Sequence, residues 1–290
     1  MNSISVIKSA AKAKLPFGNQ LRRMARAWNP YQDNPANTNL AITQGLGQIR
    51  MLRSAGADLS GTVLEFGSGW VPAIPLLFHV AGARETILTD VERLMDARTI
   101  DIAKQRVRAR AAEVAGALEM SEDAVLDRVN HGFRPQYLVP WNSVAQPAQS
   151  VDLIISRTVM EHVPEPALED FLRQFHRMLR PGGSMCHLID NSDHWEHGDK
   201  SLSRVNFLRY GNEIIWRLSC VNTQMYQNRL RHSDYITLFE RTGWRVDRAE
   251  GTPDLQALAD LSSLPLSAQF AGRDINDLAV LTSHFVLCAR

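Results

Sequence analysis

The chain has 290 residues, enough to bury one large core, and 22% of them are charged for a formal net charge of +1. That balance argues against a nucleic-acid-binding surface, and no apolar run approaches the roughly 18 residues a membrane-spanning helix needs. The three cysteines, Cys186, Cys220 and Cys288, stand far apart with neither metal-ligand spacing nor an even disulfide framework, as expected in a reducing compartment such as the cytoplasm.

Residues 1–28 carry Lys8, Lys12, Lys14, Arg22, Arg23 and Arg26 and no acid. They read as a basic arm without the continuous apolar region of a secretory signal. Weak peripheral contact with an anionic membrane surface is the functional alternative to a partly ordered segment. Residues 29–39 form a turn-rich connector, so the arm and connector occupy 1–39 and a single domain is expected over 40–290.

Within that domain, residues 40–56 read as a helix closed by Gly56. A strand over 62–66 runs through Val63-Leu64-Glu65-Phe66 into Gly67-Ser68-Gly69. A helix over 72–81 begins at Pro72, where a missing backbone donor costs little. A second strand over 85–90 ends in Asp90. Residues 92–118 form a long helical region, and Ser121-Glu122-Asp123 marks a fresh helix start. A third strand is placed at 134–139. The clearest strand, 151–156, is nearly all apolar at its centre, as in a sheet covered on both faces.

A helix over 164–179 carries Leu168, Phe171, Leu172, Phe175 and Leu179 as one apolar stripe. Pro181-Gly182-Gly183 stops it, and a strand over 184–190 follows. Residues 191–232 interrupt the alternation with a polar and aromatic insertion, helical around 203–219. Ser233-Asp234 caps a helix over 234–242, Gly243 ends it, and a strand starts at Trp244. Residues 254–276 read as a loop or short helical excursion, and 279–289 as the last strand. The alternation is that of an open α/β sheet.

The chemistry gathers at the strand ends. Glycines after a strand let a ligand approach the backbone, and the helix behind them offers its N-terminus. Glu65 before the glycines disfavours a phosphate and suits a cationic ligand. Asp90 is placed to accept hydrogen bonds from a ribose diol. A nicotinamide-dependent oxidoreductase and a non-catalytic nucleoside-binding scaffold are the alternatives.

These residues resemble the class I S-adenosylmethionine-dependent methyltransferases. The first motif of that family, an acid followed by Gly-x-Gly-x-Gly, reads here Glu65-Phe66-Gly67-Ser68-Gly69-Trp70-Val71, with Val71 in place of the third glycine. Val151–Ile155, then Glu161-His162-Val163, then Leu179-Arg180-Pro181-Gly182-Gly183 follow in the family's order. The resemblance implies a Rossmann-like, seven-stranded, mostly parallel sheet with a C-terminal antiparallel hairpin and helices on both faces.

The resemblance also implies S-adenosyl-L-methionine held by Glu65, Gly67, Ser68, Gly69, Asp90 and Val91. The methyl group would pass by in-line displacement to a hydroxyl or amine of a small molecule, a glycan or secondary-metabolite intermediate. His194 and His162, beyond the strands ending near 156 and 190, are the candidate bases. Arg157, Asp190, Tyr210 and Arg229 are candidate contacts to an acidic or sugar-containing acceptor, with the insertion as lid or wall. No metal is expected: Arg157 puts a cation where metal-dependent catechol-type relatives place a ligand.

Overall fold

The computed structural model describes residues 34–211, Trp216 and residues 226–289. The basic arm, and residues 212–215 and 217–219 of the helical stretch expected around 203–219, lie outside the described residues; its described part holds one tight helical turn, Asn206–Arg209. Seven strands pair in the order β3-β2-β1-β4-β5-β7-β6. They are β1 (Thr62–Phe66), β2 (Glu85–Thr89), β3 (Gln136–Leu138), β4 (Val151–Arg157), β5 (Leu179–Asp190), β6 (Trp244–Glu250) and β7 (Thr282–Ala289). The first five run parallel, and β7 is antiparallel to both β5 and β6. This is the expected sheet with its antiparallel C-terminal pair.

The central strands sort their side chains by the two-residue period of a pleat. Val63, Leu153, Ile155 and Cys186 belong to one buried cluster, and Leu64, Phe66, Ile154 and Met185 to another. The first cluster is closed by α1 (Pro35–Ser54), α2 (Ala73–Ala81), α3 (Ala97–Arg108), α4 (Ala111–Leu118) and α5 (Glu122–Asn130). The second is closed by α6 (Glu165–Met178) and α8 (His232–Arg241), with the one-turn helix α7 (Trp195–Gly198) between them in sequence. Helices therefore cover both faces, which is why β4 is apolar at its centre, Leu153–Ile155.

A third cluster is separate from the sheet. Val205, Phe207, Leu208 and Trp216 of the insertion pack with Ala257 and Leu261 of α9 (Leu255–Leu261), with Phe270, and with Leu278 of α10 (Ile275–Leu278). The excursion at 254–276 is thus helical in part and shares a core with the insertion. The guanidinium of Arg231 is buried between them, donating to the carbonyls of Asn191 at 2.7 Å and of Leu278 and Val280 at 2.8 Å.

Several boundaries differ from the sequence reading for local reasons. Helix α1 begins at Pro35, inside the expected connector, because Asn34 caps it by accepting from the amide of Ala36 and Pro35 needs no donor at the first position. The region 92–118 divides into α3 and α4, and the break sets Arg110 against Thr43 of α1 at 2.7 Å.

Strand β5 begins at Leu179, so the Pro181-Gly182-Gly183 turn is an irregularity within it and not a connector before it. A side chain on Gly183 would lie 2.8 Å from the carbonyl of Asp152, which explains the glycine. Helix α8 starts at His232. Asp234 lies in its first turn, accepting from the amide of Arg231 at 2.8 Å, while Ser233 donates to Asp277. Residues 279–281 precede β7 and pack into the third cluster.

Candidate active site

Between β2 and β4 the strand order reverses direction from β1, and such a switch opens a crevice at the carboxyl ends of the strands. The turn after β1 is fixed by β2. The amides of Gly67 and Ser68 donate to the carbonyl of Thr89 at 3.1 and 2.9 Å, and the Gly69 amide donates to Asp90 Oδ2 at 2.9 Å. Gly67 and Gly69 both hold left-handed dihedrals, φ +75° and +63°. A side chain on Gly67 would meet Val159 at 2.5 Å, whereas one on Gly69 would meet nothing within 4 Å. Gly67 is therefore required by packing, and Gly69 opens onto free space. Val71 packs sideways against the first core cluster, so the missing third glycine leaves the turn open.

Ser68 is buried; its hydroxyl accepts from the amide of Thr89 at 3.1 Å. It braces the turn from below. Asp90 Oδ1 accepts from the amides of Val91 at 2.7 Å and Glu92 at 3.3 Å, and Val91 itself is exposed. Glu65 is 5% exposed, and its Oε2 has no hydrogen-bond partner. Burial pushes its carboxyl up to about 8, an effect that Ser68 and the charge of Arg157 only partly offset.

A second group of polar residues lies at the ends of β4 and β5. Arg157 closes β4 and donates through Nε to Gln44 of α1 at 2.5 Å. Its charge faces Glu161, Glu65 and Asp190, so it serves as counter-ion to buried carboxylates. Thr158 follows with φ +51°, an unusual conformation for a β-branched residue, and its amide donates to the carbonyl of Leu188. Gln48, fully buried in α1, donates to the carbonyl of Ser156 at 2.8 Å.

Glu161 and His162 then form a single tight helical turn, Met160–His162. Asn228 of the insertion holds that turn: its side-chain amide donates to the carbonyls of Met160 at 2.8 Å and Val163 at 3.0 Å, and its backbone amide to that of Glu161. Glu161 is 2% exposed, with neither carboxyl oxygen hydrogen-bonded, and burial raises it well above the usual carboxylate range. His162 Nδ1 lies 2.8 Å from the carbonyl of Tyr226. Burial lowers its imidazole to about 4 despite that bond.

The rings of His162 and His194 are 4.9 Å apart, as are those of His194 and His197. His194 Nε2 stands 3.5 Å from Asp190 Oδ2, an ion-pair separation beyond a good hydrogen bond. Burial opposes ionisation of Asp190, but His194 and bonds from Ser192 outweigh it and bring the carboxyl down to about 2.

The structure thus brings Glu65, Gly67, Ser68, Gly69 and Asp90 together at one end of the crevice, and Arg157, Glu161, His162, Asp190 and His194 at the other. Two expected acceptor contacts lie elsewhere. Arg229 is 3% exposed, donates to the carbonyl of Tyr210 and covers the Trp216 ring at 4.9 Å. The ring of Tyr210 stacks on Trp216. Both consolidate the third cluster. Asp193, between Asp190 and His194, is turned into its own loop by the amide of Trp195 and by Asn206. Sequence reading missed Gln44, Gln48, Val159 and Asn228. Of these only Asn228 carried a signal, in the Asn228-Arg229-Leu230-Arg231 run.

An open glycine turn, a buried acid before it and an acid at the neighbouring strand end stand where the resemblance expects S-adenosylmethionine in a Rossmann-like class I fold. The orphaned Glu65 oxygen fits an ammonium group, and the space above Gly69 fits close approach of a ligand to the backbone.

The family described as "Methyltransferase domain" matches residues 44–249. The chain belongs to that family and is a class I S-adenosylmethionine-dependent methyltransferase, which removes the nicotinamide-dependent alternative. Among solved structures, it is similar to a magnesium protoporphyrin IX methyltransferase from Synechocystis PCC 6803 with bound SAH, at 13% identity and TM-score 0.48, covering 94% of this chain and 95% of that one. It is also similar to an S-adenosylmethionine-dependent methyltransferase from Mesorhizobium loti, at 14% identity and TM-score 0.46, covering 83% of this chain and 96% of that one. No curated protein matches the chain significantly.

Proposed function

We propose that the chain methylates a hydroxyl or amine of a small molecule held between the β1 turn and the ends of β4 and β5. When bound, S-adenosylmethionine supplies an electrophilic methyl group on a sulfonium. Glu65 receives the ammonium end of that ligand, Asp90 the ribose, and the backbone at Gly67–Gly69 passes beneath it, with Val91 beside the base. The acceptor enters from the side of 191–232, which serves as its wall. His194, oriented by Asp190, takes the acceptor's proton as the nucleophile attacks in line. His162 contacts the acceptor through Nε2, since a carbonyl can only accept and therefore fixes the proton on Nδ1. Arg157 stays within its ring of acids and keeps the crevice from carrying an excess of negative charge.

The observation that carries this reading is the placement of a buried acid, Glu65, with one oxygen that has no hydrogen-bond partner, just before an open turn that Asp90 itself holds. An acceptor screen with methyl-labelled S-adenosylmethionine tests it. With the acceptor found, His194→Ala is expected to lower turnover at least about tenfold while SAH affinity stays within about threefold. Unchanged turnover would remove His194 from the reaction.

A further inference from the structure

From the side chains at the ends of β4 and β5, we infer a site for one divalent transition-metal ion, held by Glu161, His162, His194, Asp190 and His197. The donor atoms of Glu161, His162 and His194 lie within 4.8 Å of one another, and so do those of Asp190, His194 and His197, with His194 common to both sets. Metal–ligand bonds of about 2.0–2.2 Å place donor atoms about 3.3–4.4 Å apart, so a small contraction gathers each set around an ion.

The hydrogen bonding points the same way. His162 is held with its proton on Nδ1, which leaves the Nε2 lone pair directed 4.0 Å from Glu161 Oε1. A cation seated between that lone pair and the Glu161 carboxyl would be bound by both. Glu161 is almost fully buried, and neither of its oxygens has a hydrogen-bond partner. His194 Nε2 is likewise buried and unpartnered. Asp190 spends Oδ1 on the amide and hydroxyl of Ser192, which turns Oδ2 toward His194. Fixing a ligating carboxylate and an imidazole tautomer through their other atoms is the usual outer support of a metal site.

Charge agrees. Three acids, Glu65, Glu161 and Asp190, face the single guanidinium of Arg157. A cationic ligand at Glu65 leaves two acids, Glu161 and Asp190, beside one guanidinium, surroundings that favour a further cation. Three imidazoles with two carboxylates favour Mn, Fe, Co, Ni or Zn over Mg or Ca, which prefer all-oxygen sets. His197 is exposed, which gives the ion a way in.

The inference rests on the reading that these strand ends face the acceptor. There an ion would polarise the acceptor oxygen and lower its pKa; in the metal-loaded form His162 and His194 would hold the ion, and the proton-accepting part given above to His194 belongs to the metal-free form.

Equilibrium dialysis of the full chain against MnCl2 or CoCl2, followed by elemental analysis, tests the site. SAH titration of the same samples reports on folding and on the cofactor reading. The wild type should retain about one ion per chain. Glu161→Gln and His194→Ala should each lose at least about tenfold in metal affinity with SAH binding kept, and His197→Ala, an exposed change that leaves the fold alone, should lose a similar factor. Electron spin echo spectra of the Mn2+ form should show imidazole nitrogen couplings. Retention of less than about a fifth of an equivalent, or retention equal in wild type and all three variants, would overturn the site. Metal retained without SAH binding would leave the site standing and count against the cofactor reading alone.

Discussion

The turns after β1 and after β4 each set an acid beside the crevice, but they dispose of their polar atoms in opposite ways. After β1, the amides of Gly67, Ser68 and Gly69 are all taken by residues 89 and 90, and Glu65 Oε2 is a buried oxygen without a hydrogen-bond partner. After β4, Glu161 has no partner for either oxygen, His194 none for Nε2, and the turn is held from outside by Asn228, Gln44 and Gln48. The first turn is closed by backbone and side-chain bonds to β2 alone. The second is an assembly of groups brought from α1, β4, β5 and the insertion, stable because each element is packed elsewhere. The difference follows from the tasks: one cofactor has a constant shape, while an acceptor side must change between enzymes on one fold.

The contact that joins the two turns is the sharpest place to break the contrast. Gly67→Ala places a methyl group 2.5 Å from Val159 on a backbone with φ +75°. Stability should fall by about 2–4 kcal/mol, read in a urea titration, with partial recovery in Gly67→Ala combined with Val159→Ala. Recovery to wild type would mean that packing, and not the dihedral, is the whole constraint.

On the other side, Asn228→Ala removes donors from the carbonyls of Met160 and Val163 and a partner of the Tyr235 hydroxyl. A loss of about 1–3 kcal/mol is expected, with turnover reduced and SAH affinity kept. If SAH affinity fell equally, the two turns would not be independent.

A further effect, of about 1.4 kcal/mol for each pH unit, concerns protons. Glu65 ionises near 4.5 in the unfolded chain and at about 8 in the folded one. The folded state therefore binds more protons in that window, and stability without ligand falls as pH rises across it. A ligand ammonium that needs the carboxylate must displace this proton. SAH affinity should then rise about tenfold between pH 6 and 7, level off near 8, and be accompanied by proton release in calorimetry. Glu65→Gln should abolish the slope. An equal slope in that variant would assign the proton to another group.

The same contrast governs what the sequence disclosed. The sheet, its antiparallel end and the β1 turn were legible because they depend on short-range signals: apolar runs, glycines after a strand, an acid at the next strand end. Glu65, Gly67, Ser68, Gly69 and Asp90 all lie near one another in the chain, so their meeting could be read. The acceptor side was legible only in outline. His162 and His194 were placed correctly at strand ends, but their distance depends on how β5 pairs with β4 and on Asn228 holding the turn between them. Arg229 reads in the sequence as a contact to the acceptor and is a buried brace in the structure, because a residue's neighbours 19 and 40 positions away, Tyr210 and Gln269, leave no local trace. Helix α1 began earlier than read because Asn34-Pro35 serves equally as a turn or as a helix start, and packing of Ile42 and Leu46 on the sheet decides between them.

The most direct test of the account is a calorimetric titration of the wild type and Asp90→Ala with S-adenosylmethionine and with SAH. The account predicts micromolar binding of both by the wild type and a loss of about tenfold to a hundredfold in the variant, since the carboxylate both meets the ribose and holds the Gly69 amide. No binding of either compound to the folded wild type, or equal binding by Asp90→Ala, would contradict it.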